Sequence, residues 1–150
     1  MHPRRRSLVG FLLASTAVVF AARGLTAEDS LYTRLGGQPA VKAVASQLVD
    51  RILQDNRVNR WFAHAASSPE NTAAYKSKLS DFVCQATGGP CTYSGRDMVT
   101  AHKGRMVTSD AFDAVAQDLT EVLVALKVPE HEKRQLLDLV GTLKPSIVQP

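Results

Sequence analysis

Apolar side chains recur at intervals of three and four along most of the chain. Val41, Val44, Ala45, Leu48 and Ile52 make the first such stripe, the spacing that lines one face of an α-helix. Gly36–Gly37 breaks the chain ahead of it, Pro39 suits a first helical position, and Asp55–Asn56 ends it. Trp61 and Phe62 follow as an aromatic pair in a connecting stretch. Ser68–Pro69–Glu70 then combines a cap, a proline and an acid at a positive helix end. Tyr75, Leu79, Phe82, Val83 and Ala86 line the next face, and Gly88–Gly89–Pro90 stops it. A shorter segment sets Met98 and His102 four apart. Thr108 or Ser109 opens a helix with Phe112, Val115, Leu119, Val122, Leu123 and Leu126 inward. Pro129–Glu130 opens the last, with Leu136, Leu137, Val140, Leu143 and Ile147 on its apolar side. Strand alternation is absent. The pattern predicts an all-α domain of four substantial helices and a shorter fifth.

The first 27 residues follow another logic. Met1–Arg6 is positive, Leu8–Ala22 is uncharged and apolar, and Glu28–Asp29 opens polar sequence. This is the layout of a secretory signal peptide over residues 1–27, with a retained membrane anchor as its alternative. Fifteen apolar residues fall short of the about 20 that a helix needs to cross a bilayer, which favours cleavage. Arg5–Arg6–Ser7–Leu8–Val9 also resembles a twin-arginine export signal. The expectation is an exported protein, periplasmic or membrane-anchored facing outward, with its domain at 28–150. The membrane is a partner only if the leader is retained.

The leader also changes the reading of charge. The chain has 18 cations against 14 acids, but Arg4, Arg5, Arg6 and Arg23 all lie in the leader, and what remains is balanced. A domain-wide footprint for nucleic acid is therefore not expected. Export makes a bridge between Cys84 and Cys91 plausible, because Gly88, Gly89 and Pro90 can turn the chain back between them. Closing so short a loop stabilises by about 2.5 kcal/mol on the loop-entropy argument. Two separate thiols are the alternative.

Catalytic motifs are sparse. The chain has no phosphate-cradling glycine loop, no His-Glu-x-x-His and no nucleophile elbow. Three histidines follow the leader. His131 sits between Glu130 and Glu132 and reads as solvated. His64 follows the aromatic pair as a packing or surface residue. His102 shares an apolar face with Met98. A neutral imidazole facing an apolar cavity can serve as the axial ligand of haem iron; such a histidine can equally be a structural residue.

The order of motifs narrows the choice. Leu31–Tyr32–Thr33–Arg34–Leu35–Gly36–Gly37, Arg51–Ile52–Leu53, Asn59–Arg60–Trp61–Phe62, Ala86–Thr87–Gly88–Gly89–Pro90, Tyr93–Ser94–Gly95–Arg96–Asp97–Met98 and Ala101–His102–Lys103–Gly104 stand in register with the truncated haemoglobins, group 1 in particular. The likeness runs from residue 31 to about residue 147. It implies a truncated globin fold, a two-over-two helical sandwich, around non-covalent haem b. His102 then corresponds to the proximal iron ligand. Met98 packs beneath the ring, Phe62 against it, and Val107 on the proximal side. Lys78 and Tyr93 match residues that approach the propionates, with solvated and turn-packing roles as their alternatives; Arg105 is a weaker propionate candidate.

The departures from the family bear on chemistry. Val49 stands where much of group 1 has a distal tyrosine, and Leu79 where a glutamine is frequent. Neither side chain donates a hydrogen bond, so oxygen should be held less firmly than in the family's tight binders. Tyr75, one turn before Leu79, is the remaining donor, pointing either inward or to the pocket mouth. The resemblance implies a diatomic gas as ligand (oxygen, nitric oxide or carbon monoxide) and an electron donor of unknown identity. Nitric-oxide dioxygenase or peroxidase side activity is left open. An exported haem electron carrier using His64 as a second axial ligand, and a haem-free helical interaction module, are the competing readings.

Overall fold

The computed structural model describes residues 29–149, and the leader lies outside them. Four long helices carry the fold: α2 (Gly37–Gln54), α4 (Pro69–Ala86), α6 (Ser109–Ala125) and α7 (Glu130–Gly141). Short helices join them: α1 (Leu31–Leu35), α3 (Ala63–Ala66), α5 (Met98–His102) and α8 (Lys144–Ile147). No strand occurs among the described residues, and none of their helices is long and apolar enough to cross a membrane. α2 packs on both α4 and α6, and α6 on α7. The two pairs bury a core in which Leu48 and Ile52 of α2 meet Leu119, Val122 and Leu123 of α6 and Leu136 of α7.

Local chemistry sets the helix boundaries. The Ser68 hydroxyl accepts from the Asn71 amide and Pro69 occupies the first turn, so α4 starts where the sequence predicts. Thr108, rather than Ser109, caps α6, its hydroxyl accepting from the Ala111 amide. α2 begins two residues before Pro39, because Gly36 adopts φ +108°, closes α1 and hands the chain directly to Gly37. The aromatic pair is not in open loop: Asn59–Phe62 forms a 3-10 turn that runs into α3. The last predicted helix is also two. α7 ends at Gly141, and Ile147 packs on the core from α8.

Cys84 and Cys91 are joined by a disulfide with Cα atoms 5.8 Å apart. Cys84 is fully buried on α4, and the bridge brings the chain back against that helix's C-terminal turn. A Cβ on Gly89 would lie 2.6 Å from both the Cys84 sulfur and the Tyr32 ring. Only glycine lets the turn pass there.

Candidate functional site

α5 is a five-residue helix that would not persist alone. Asp97 caps it: its carboxylate accepts from the Thr100 amide at 2.9 Å. His102 ends it. Its Nδ1 lies 2.8 Å from the Met98 carbonyl oxygen. A carbonyl only accepts, so Nδ1 carries the proton and donates. In the neutral ring Nε2 is then left with a bare lone pair. A backbone carbonyl on the far nitrogen is the partner that orients and strengthens a metal-bound imidazole. Met98 and His102 are both half-buried.

The loop after α5 is fastened from two sides. Gln149 accepts from the Gly104 amide through its side chain, and its own amide donates to the Val107 carbonyl. The Trp61 indole donates to the Arg105 carbonyl at 2.9 Å, and the Arg105 guanidinium donates back to the Trp61 carbonyl at 3.2 Å. This reciprocal pair ties the histidine's loop to the aromatic turn. Val107, just beyond, is buried in the core. The loop also holds Met106 at φ +54°, a strained conformation for a residue with a side chain.

Phe62 meets Tyr75 of α4 edge to face, ring centres 5.8 Å apart. Burial, with a smaller contribution from Tyr93, pushes the Tyr75 phenol up to about 12, against a partial offset from Arg105. It is therefore protonated at neutral pH. Among the described residues its hydroxyl has no hydrogen-bond partner. Further along α4, Phe82 packs edge to face on Tyr93, centres 5.2 Å apart. The Tyr93 hydroxyl donates to the Arg96 carbonyl, and its amide donates to the Gln85 side chain. A Cβ on Gly95 would lie 2.1 Å from the Tyr93 ring, so glycine there is what lets the tyrosine fold back.

The structure brings some of the residues singled out from sequence into pairwise contact. Met98 and His102 share one turn; Phe62 and Tyr75 touch; the field of Tyr93 and Arg105 reaches Tyr75. Lys78 is exposed on α4, three residues after Tyr75. Leu79 is half-buried against the core, and Val49 is fully buried. His64 and His131 are exposed, as the sequence suggested for His131 and allowed for His64. Sequence reasoning missed the clasp between Trp61 and Arg105 and the part played by Gln149. Neither leaves a local signal, since the partners are 44 and 45 residues apart. The Asp97 cap was missed as well, although an acid three residues before Thr100 is a capping spacing that could have found it.

Comparisons with known proteins identify the family of the fold. A family model described as bacterial-like globin matches residues 30–149. A group 1 truncated haemoglobin from Synechocystis is 35% identical over 117 residues, covering 75% of this chain and 90% of its own. One from Mycolicibacterium paratuberculosis is 32% identical over 118 residues, covering 79% of this chain and 83% of its own. Among solved structures, the truncated haemoglobin of Tetrahymena pyriformis in its Fe(III) form superposes with a TM-score of 0.72 at 25% identity, covering 81% of this chain and all of its own. The 2/2 haemoglobin of a Synechococcus, solved in the cyanomet state with covalently attached haem, gives a TM-score of 0.67 at 32% identity, covering 77% and 94%. The chain belongs to the bacterial-like globins and, among them, to the group 1 truncated haemoglobins.

Proposed function

We propose that this globin holds haem b non-covalently, with His102 Nε2 on the iron, and binds a diatomic gas on the opposite side. The observation that carries the reading is the 2.8 Å contact between His102 Nδ1 and the Met98 carbonyl, which leaves Nε2 as a free, oriented donor. The surrounding chemistry fits the group. Phe62, Met98 and Val107 offer apolar surface for a flat macrocycle. Lys78 and Arg105 are exposed cations that would pair with its propionates. When bound, haem supplies the iron that takes the gas.

The chain's own residues set how firmly the gas is held. Val49 and Leu79 cannot donate a hydrogen bond. Tyr75 supplies the distal donor: its half-buried phenol is protonated and free of any partner among the described residues. The gas is oxygen, nitric oxide or carbon monoxide. Electrons to keep the iron ferrous come from a separate donor. The leader exports the protein, which fits the Cys84–Cys91 bridge, since disulfides persist in oxidising compartments.

Absorbance of the purified protein tests the reading. A Soret band at one haem per chain, lost in His102→Ala while the helical circular dichroism is kept, is expected. An unchanged haem content and spectrum in that variant would refute the assignment.

A further inference from the structure

The balanced total of the domain conceals a charge separation. Residues 57–107, which contribute every wall of the site except Val49, carry seven cations and three acids. Residues 108–149, mostly α6 and α7, carry four cations and seven acids.

Five of the seven cations on the site's side are also differently used; the other two, Arg57 and Lys76, are paired with Asp55 and Asp50. Arg34, Arg51, Lys133 and Lys144 are held in ion pairs elsewhere on the surface. Arg60, Lys78, Arg96, Lys103 and Arg105 are all exposed and have no carboxylate partner among the described residues. Several contacts tie their segments together. Arg60 lies over the Trp61 ring at 3.9 Å. Trp61 is clasped to Arg105, and Lys103 shares that loop. Arg96 receives the Tyr93 hydroxyl, and Tyr93 packs on Phe82 one turn beyond Lys78. The acids among them are Asp81 and Asp97, the second occupied in capping α5.

Two apolar residues of the same segment are also exposed. Val99 is 58% and Met106 70% exposed, three and four residues to either side of His102. Two exposed apolar side chains thus stand among unpaired basic residues in the segments that flank the histidine.

We infer that this face, built from Arg60, Arg96, Val99, Lys103 and Met106, is the docking surface for an acidic one-electron donor protein. The inference rests on the haem reading above, since it places the donor against the edge of the proposed site. One electron passes from the reduced donor to ferric iron, leaving an oxidised donor and ferrous iron, with no proton or bond exchanged. Redox encounters are small and transient. Opposite charge speeds their formation and sets the orientation in which they dock. An anionic membrane surface is less well suited, because two exposed apolar side chains give little to insert.

The test uses the haem-loaded protein, isotopically labelled, titrated with an acidic [2Fe–2S] ferredoxin as probe. Amide shifts should cluster at Arg60 and across Arg96–Met106. Stopped-flow reduction of the ferric protein by that ferredoxin should slow steeply as salt rises from about 0.01 M to about 1 M, where screening shortens from about 30 Å to about 3 Å. Arg60→Glu/Arg96→Glu/Lys103→Glu should lower the association rate constant by about tenfold or more. Arg96→Glu/Lys103→Glu, which leaves the Trp61 contact alone, should lower it in the same direction. Lys127→Glu/Arg134→Glu, on the acidic half, should leave it unchanged.

The inference is overturned if shifts cluster on α6 and α7, if both sets of variants behave alike, or if the chain ignores ferredoxin and binds phosphatidylglycerol vesicles instead. Loss of the haem reading looks different: no Soret band forms, whereas failure of the docking surface leaves haem and gas binding intact.

Discussion

At the scale of the residue, the site turns on which nitrogen and which hydroxyl are free. His102 gives its Nδ1 proton to a backbone carbonyl one turn earlier, and Tyr75 keeps its phenol without a partner among the described residues. Tyr75→Phe is therefore expected to raise the oxygen dissociation rate about fivefold, the equivalent of one lost hydrogen bond near 1 kcal/mol. Flash photolysis or stopped-flow mixing measures it, and an unchanged rate would remove Tyr75 from the distal side. Leu79→Gln, which restores a donor, should slow dissociation by a similar factor. The sequence showed His102 with Met98 at helical spacing, but spacing alone does not separate a ligand from a structural histidine; only the resemblance carried by the neighbouring motifs points to a ligand. The free phenol was not legible, because whether a tyrosine finds a partner depends on residues distant in the chain.

At the scale of the element, short helices are held by caps and staples rather than by their own length. Ser68→Ala removes the α4 cap and should cost about 1 kcal/mol, read as a lower denaturant midpoint with an unchanged slope. Cys84→Ser/Cys91→Ser opens the loop that returns the chain to α4 and should cost about 2.5 kcal/mol. Tyr93 lies two residues beyond the bridge, so thermal melting of that variant should be accompanied by a change in the near-ultraviolet tyrosine signal. The long helices were legible, because each carries an amphipathic stripe with punctuation at its start. Boundaries failed where tertiary contacts set them. The 3-10 turn at Asn59–Phe62 and the separation of α8 from α7 depend on packing that no local pattern encodes.

At the scale of the whole molecule, charge organises both stability and encounter. The Arg57 side chain, hydrogen-bonded to the Asp55 carboxylate, holds that acid down at about 2 from an ordinary value near 3.8. A carboxylate depressed in the folded state stabilises above its unfolded value and loses that contribution as pH falls through its folded one. Asp97 and Glu130 are lowered by the Thr100 and Lys133 contacts and act in the same sense. Chemical denaturation should therefore show stability falling as pH drops from about 4 towards about 2. Asp118 has the opposite sign. Burial raises it, Arg51 holds only its Oδ1, and its buried Oδ2 has no partner beside Asp55. Asp118→Asn keeps an acceptor for Arg51 and gives Asp55 a donor, so it should be at least as stable as the parent at pH 7 by the same measurement. Neither this network nor the uneven charge of the two halves was legible in a total that balances. The central claim remains the bond between residue 102 and haem iron. Resonance Raman of the ferrous protein in His102→Gly, with and without added imidazole, tests it most directly. The iron–histidine stretch should vanish in the variant and an iron–imidazole stretch should return when imidazole enters the gap; a stretch that survives the substitution without imidazole would contradict it.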